Sequence, residues 1–179
     1  MHDSRNPRAG RTGARAAPAS RISLPVAATG MLLFLLAIWV SPARADTVWH
    51  AAESRSELSI FVSALRAAGL DGLVQEADEI TMFAPTNDVL ERMFGDQIGG
   101  PADHNALVKL TAGHLVLELI SGREAEGQFL DTLTVSGTRI GILNAGSMGM
   151  FVGTTVVLLR DVEASNGVLH VINGVLPSE

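Results

Sequence analysis

The sequence predicts an α+β fold, a small antiparallel β-sheet system with helices gathered at one side, and three observations predict it. Residues 56–68 carry Leu58, Phe61, Val62 and Leu65 at i, i+3, i+4 and i+7, the apolar stripe of a helix. After Gly113 the period drops to two, with Leu115, Leu117 and Leu119 alternating against Val116 and Glu118. Near the C-terminus, Asn166-Gly167 and Asn173-Gly174 are turn pairs, since Asn and Gly accept the positive φ of tight turns. Between them Val168, His170 and Ile172 share one face of an extended segment and Leu169 and Val171 the other, so both faces are apolar and the strand is an interior one.

The remaining elements follow in order. Trp49 and Ala52 begin the first helical arm or a turn preceding it, and Gly69 stops that arm. Residues 80–84 alternate as a strand ending at Pro85, after which Thr86 caps a short helix bearing Val89, Leu90, Met93 and Phe94, closed by Gly95. Gly99-Gly100-Pro101 is a loop, and Asp103 caps a helix whose Leu107, Leu110 and His114 lie on one side, which points His114 inward. Ser121-Gly122 turns the chain. Short strands then pass through Leu133 and Val135, through Ile140 and Ile142, and through Met148, Met150 and Val152, separated by Ser136-Gly137 and Asn144-Ala145-Gly146. After Gly153, the apolar run 156–159 pairs with residues 168–172 across the Asn166-Gly167 turn as the central antiparallel pair. No repeat, low-complexity tract or long linker divides this part of the chain, so residues 46–179 read as a single domain.

The N-terminus reads differently. Residues 1–21 hold five arginines and one acid, and an uncharged run, 22–42, follows, with fifteen apolar-rich residues at 26–40 as its heart. That length fits the apolar region of a signal peptide, whereas a spanning helix needs about 20 apolar residues, and Ala43-Arg44-Ala45 supplies a small-x-small cleavage pattern. Residues 1–45 are therefore expected to be a signal peptide cleaved after Ala45, with no membrane insertion afterwards; an uncleaved anchor is the alternative that the long basic segment permits. Cleavage removes six of thirteen basic residues and one of nineteen acids, leaving seven bases against eighteen acids, a net charge of −11. So acidic a domain, with Lys109 as its one lysine, is not expected to bind nucleic acid, whose phosphates are held by clustered Lys and Arg. The chain has no cysteine and no Asn-x-Ser/Thr sequon, so its core must suffice without disulfides, and a periplasmic or secreted location accommodates it.

Two stretches carry a family resemblance. Residues 81–87, Thr-Met-Phe-Ala-Pro-Thr-Asn, and residues 164–177, Ala-Ser-Asn-Gly-Val-Leu-His-Val-Ile-Asn-Gly-Val-Leu-Pro, resemble the two signatures of the fasciclin domain family, in the family's order and at about its separation. The resemblance spans 48–177. It rests on Thr81, Phe83, Pro85, Thr86 and Asn87 in the first stretch and on Asn166, Gly167 and His170 in the second, with Asn173 where the family usually has Asp. It implies a wedge-shaped antiparallel β-sandwich with helices packed at one side and the two signature stretches on neighbouring central strands. It also implies a non-enzymatic exported module of cell–cell or cell–matrix adhesion, partnered by a cell-surface or matrix protein or glycan. In the family a Tyr-His pair followed by aliphatics is implicated in receptor adhesion; the matching residues here are His114, Leu115 and Val116, with Gly113 in place of the tyrosine.

Chemistry is otherwise sparse. The histidines His2, His50, His104, His114 and His170 lack zinc-site spacing, and neither a metal nor another cofactor is expected. No catalytic residue is expected either. No nucleophile elbow or phosphate loop occurs, and Gly146-Ser147-Met148-Gly149 is a turn. Glu53, Glu57, Glu76, Asp78 and Glu79 read as a solvated face. His170, among apolar neighbours, reads as a structural histidine. A second functional reading, a periplasmic or secreted carrier of a small apolar ligand, rests on Met148, Met150 and Phe151, where flexible Met side chains could line an adaptable surface, although ordinary core and strand filling is the account of them that comes first.

Overall fold

The N-terminal half of the fold is built on helices. In the computed structural model, which describes residues 46–95 and 104–178, α1 spans Val48–Glu53, a 3-10 turn Ser56–Leu58 leads into α2, Ser59–Ala67, and α3 spans Asp71–Glu76. The single arm expected over 56–68 is thus a tight turn plus a helix, and Trp49 and Ala52 belong to a separate helix before it. The α2 stripe is as read: Phe61, Val62 and Leu65 are buried. Helix α3 gives little signal in sequence because it is short and buries one apolar residue fully, Val74.

Strand β1, Ile80–Pro85, is followed by α4, Asn87–Phe94, and α5, His104–Ala112. Thr86 occupies the cap position of α4, but its side chain makes no capping bond; its carbonyl accepts from the N–H groups of Val89 and Leu90 at 3.1 Å. The loop at 99–101 and the cap at Asp103 lie outside the described residues, as does the whole of 1–45.

The strands that follow are β2 (Leu115–Val116), β3 (Phe129–Leu133), β4 (Arg139–Asn144), β5 (Met150–Val152), β6 (Thr155–Ala164) and β7 (Gly167–Ile172). Among the described residues the sheet has seven strands in the order β2-β1-β7-β6-β5-β4-β3. Its two ends approach each other: the Val135 N–H donates to the Leu115 carbonyl at 2.8 Å, and the Thr132 hydroxyl to the Glu118 carboxylate at 3.0 Å, so the sheet is nearly a barrel. The β-sandwich expectation is corrected to that extent. Strand β6 serves both halves of the sheet, pairing with β5 and with β7, and register shifts along residues 157–162, with Asp161 at φ 59°, bend it between them. The antiparallel expectation holds for β6–β7 and fails at the centre, where β1 and β7 run parallel from Ile80↔Gly167 to Pro85↔Ile172. The two signature stretches do lie on neighbouring central strands.

Alternation along β1 and β7 sorts their side chains between two cores. Ile80, Met82, Ala84, Leu169 and Val171 join Leu58, Phe61 and Leu65 in the layer under the helices. Phe83 and Ile172 join Val116, Ile142 and Met150 in the interior of the near-barrel. Each such aliphatic or aromatic side chain, fully buried, contributes about 1.5–3 kcal/mol. This is why the stretch around His170 is apolar on both faces.

The strand expected over 115–119 stops at Val116. Thr81 is the physical reason: its hydroxyl donates to the Glu118 carbonyl at 2.6 Å and accepts from the Ile120 N–H at 2.9 Å, groups that a continuing strand would have used in its ladder. Leu117 and Leu119 are left exposed, at 52 % and 43 %.

Candidate functional site

The polar residues of the two signature stretches make bonds to distant segments. Asn87 accepts from the Ile60 N–H at 3.0 Å and donates to the Ser56 carbonyl at 2.9 Å, closing the start of α2. Asn166 accepts from the Val48 N–H at 2.9 Å and donates to the Val74 carbonyl at 2.8 Å, tying the start of α1 to α3. Each accepts from a first-turn N–H, that of Ile60 or of Val48, which has no partner within its own helix. Asn173 is exposed beyond β7, and its backbone N–H donates to the Val156 carbonyl at 2.9 Å.

His170 and Thr81 act on one surface segment, residues 117–123. The His170 ring stacks on Phe83 with centroids 5.3 Å apart. Its Nε2–H donates to the Ile120 carbonyl at 2.8 Å, and its Nδ1 accepts from the Asp161 N–H at 3.2 Å. Burial holds its pKa below the ordinary imidazole value against the opposing pull of the Ile120 carbonyl and the Asp161 charge. Asp161 extends the grip, its carboxylate accepting from the Gly122 N–H at 2.6 Å. The backbone from Glu118 to Gly122 is therefore fixed from beneath by Thr81, His170 and Asp161, while Leu117 and Leu119 face outward. Beside it an open cleft of about 510 Å³ is lined by Leu119, Arg123, Asp161, Glu163 and Val168.

His114, Leu115 and Val116 sit differently from the binding expectation. All three are fully buried and have no surface to offer a partner. His114 Nδ1–H donates to the Leu110 carbonyl at 2.7 Å, Nε2 accepts from the Leu176 N–H at 3.0 Å, and the ring meets Phe61 edge-on at 5.4 Å. Burial lowers its pKa to about 4, outweighing the Leu110 bond, which favours the charged form. These partners define one neutral tautomer that pins the C-terminal segment to α5. The residues that sequence reasoning misses are Leu117 and Leu119, immediately downstream. Their alternation has the period of a strand, and only the long-range bonds of Thr81 show that they leave the sheet.

The remaining candidates scatter. Met148 is exposed, Met150 buried and Phe151 half-buried, so the three do not line one cavity. Glu53, Glu57, Glu76, Asp78 and Glu79 are not gathered into a site: Glu53 pairs with Arg66 at 2.9 Å and Glu57 with Arg55 at 3.4 Å, both at the surface. Among the described residues no group of three His, Asp or Glu is placed to hold a metal ion, and no helix is long and apolar enough to cross a membrane.

Residues 56–178 match the model of the Fasciclin domain. The chain belongs to the fasciclin domain family. Protein sll1483 of Synechocystis sp. is 28 % identical over 143 residues, covering 76 % of this chain and 78 % of that protein. Periostin of Homo sapiens is 30 % identical over 120 residues, and transforming growth factor-beta-induced protein ig-h3 of Sus scrofa 29 % over 115, covering 66 % and 64 % of this chain. This chain spans only 14 % and 17 % of those two longer proteins. Among solved structures, a FAS1 domain pair from the insect cell adhesion molecule Fasciclin I superposes with a TM-score of 0.53 at 19 % identity, covering 68 % of this chain and 45 % of that one. That likeness shows the fasciclin fold, a near-barrel sheet with flanking helices.

Proposed function

We propose that this fasciclin domain is a non-enzymatic, exported interaction module of cell–cell or cell–matrix adhesion. Its contact surface is residues 117–123, and its partner a cell-surface or matrix protein or glycan. The observation that carries this reading is the convergence of Thr81, His170 and Asp161 on the backbone of one surface segment that presents Leu117 and Leu119. A rigid backbone bearing exposed apolar side chains binds with little ordering cost. The solved relative described as a cell adhesion molecule supports the same class of role. The non-enzymatic part rests on the two internal histidines, since both are buried and both have each ring nitrogen engaged, which leaves neither free for proton transfer.

Replacing Leu117 and Leu119 together by Ser is expected to reduce attachment of the purified protein to cells or matrix by about tenfold or more while leaving the urea midpoint unchanged. Attachment equal to that of the unmodified protein would remove residues 117–123 as the contact surface. Export is read from the N-terminus: protein recovered from an exporting host is expected to begin at Asp46, as N-terminal sequencing or intact mass will show. Full-length protein that resists carbonate extraction from membranes would instead make the module a tethered one.

A further inference from the structure

The outer face of the β3–β6 half carries a line of apolar side chains. The register sets Phe129 opposite Leu143, Leu143 opposite Phe151 and Phe151 opposite Val156. Directly opposed residues of antiparallel strands point to the same face, so the four stand in one row across four strands. Phe129 is 68 % exposed, Val156 41 % and Leu143 36 %, and Leu133, at 53 % and on the same face of β3 as Phe129, widens the row. The opposite face already fills the near-barrel interior with Ile140, Ile142, Met150 and Val152, so the row is not spare core. Gly141 lets the Phe129 ring lie flat on the sheet, since a Cβ there would meet the ring's Cε2 at 2.6 Å. The face carries two charges, Asp131 and Arg139, paired at 3.0 Å.

We propose that this face docks a second copy of the same chain, row against row about a two-fold axis. Charge selects that occupant. A two-fold contact sets a patch against itself, and over most of a domain of net charge −11 that brings acid against acid. Here the charge balances, because Asp131 and Arg139 are paired within each copy, so no unpaired acid is set against its own image. A negatively charged lipid surface would need a basic rim, and the one arginine of the patch is already paired. Area sets the strength. Four strands about 4.8 Å apart and five residues of about 3.4 Å each give roughly 300 Å² per copy. The resulting total of about 600 Å² falls well below the roughly 1,200 Å² of stable complexes, so the dimer is a weak and reversible one.

Sedimentation equilibrium of the protein in the N-terminal form that an exporting host yields, from about 10 μM to about 1 mM, tests this without any cell or matrix, so the outcome does not depend on the adhesion reading. A monomer–dimer equilibrium is expected, with the dissociation constant raised about tenfold or more by Phe129→Ser and separately by Leu133→Ser, at unchanged urea midpoints. Asp131→Arg weakens the dimer and Asp131→Arg with Arg139→Asp restores it. A monomer over the whole range, or a dimer indifferent to both serine variants, overturns the proposal. So does a monomer that floats with phosphatidylcholine vesicles unless Phe129 is replaced, because the face would then belong to lipid.

Discussion

Lowering the pH from 7 to 4 is expected to remove about 3 kcal/mol of stability through His114 alone. The cause is the bonding of its ring. With Nδ1–H given to Leu110 and Nε2 receiving the Leu176 N–H, protonation of Nε2 would break the second bond and leave a charge in the core beside Phe61. The folded protein therefore takes up the proton only near pH 4, while the unfolded chain takes it near the ordinary value of 6.5. Between those values the unfolded state binds more protons, so stability is complete above about pH 6.5, declines as the pH falls, and levels off below about 4. His170, also held low by burial, adds to the loss in the same direction. Urea midpoints of the wild type and of His114→Gln over this range measure it. The glutamine variant starts lower, because it packs less well, but its profile is shallower by the His114 contribution. Other titrating groups are common to both proteins, so parallel profiles would show that His114 has no part in the acid response.

What the sequence discloses of this fold depends on the reach of each interaction. The α2 stripe, the β6–β7 hairpin and the two-faced apolar strand around His170 are local patterns, and each is found where the spacing puts it. The parallel β1–β7 pair is not local: its register joins Ile80 to Gly167 across most of the domain, and a hairpin signal at Asn166-Gly167 describes only the other neighbour of β7. The same holds for Asn87 and Asn166, which look like a helix-start residue and a turn residue but close helix ends 27 and 118 residues away. The surface at 117–119 escapes a reading by period because alternating leucines repeat alike in a strand and in a segment held straight by Thr81. His114, in turn, is legible as inward-facing from α5, and its burial agrees with that reading.

Gly167→Ala is expected to cost at least about 4 kcal/mol, among the largest effects that a single methyl group can have in this domain. The turn pair Asn166-Gly167 invites an account in terms of glycine's freedom in tight turns, but close approach is the stronger constraint. A Cβ at residue 167 would fall inside the carbonyl oxygen of Ile80, 2.8 Å from its carbonyl carbon and 3.0 Å from its Cγ2. The obstructing atoms are backbone of a central strand whose N–H is bonded to the Asn166 carbonyl at 3.0 Å, so they cannot turn aside as a side chain would. Relief requires β1 and β7 to part at the start of their ladder, and these two strands supply Ile80, Met82 and Leu169 to one core and Phe83 and Ile172 to the other. Both cores loosen together, out of a total stability of about 5–15 kcal/mol for a domain of this kind. Gly153→Ala provides the contrast. Gly153 has φ 57° and open space within 4 Å of where a methyl group would stand, so only the left-handed backbone opposes alanine there, at about 1 kcal/mol. Urea titration of the two variants should separate them by about 3 kcal/mol or more, with Gly167→Ala unfolded or nearly so at room temperature. Equal, small losses at both positions would show that β1 and β7 can slide apart without penalty, and the rigid platform beneath residues 117–123 would go with them.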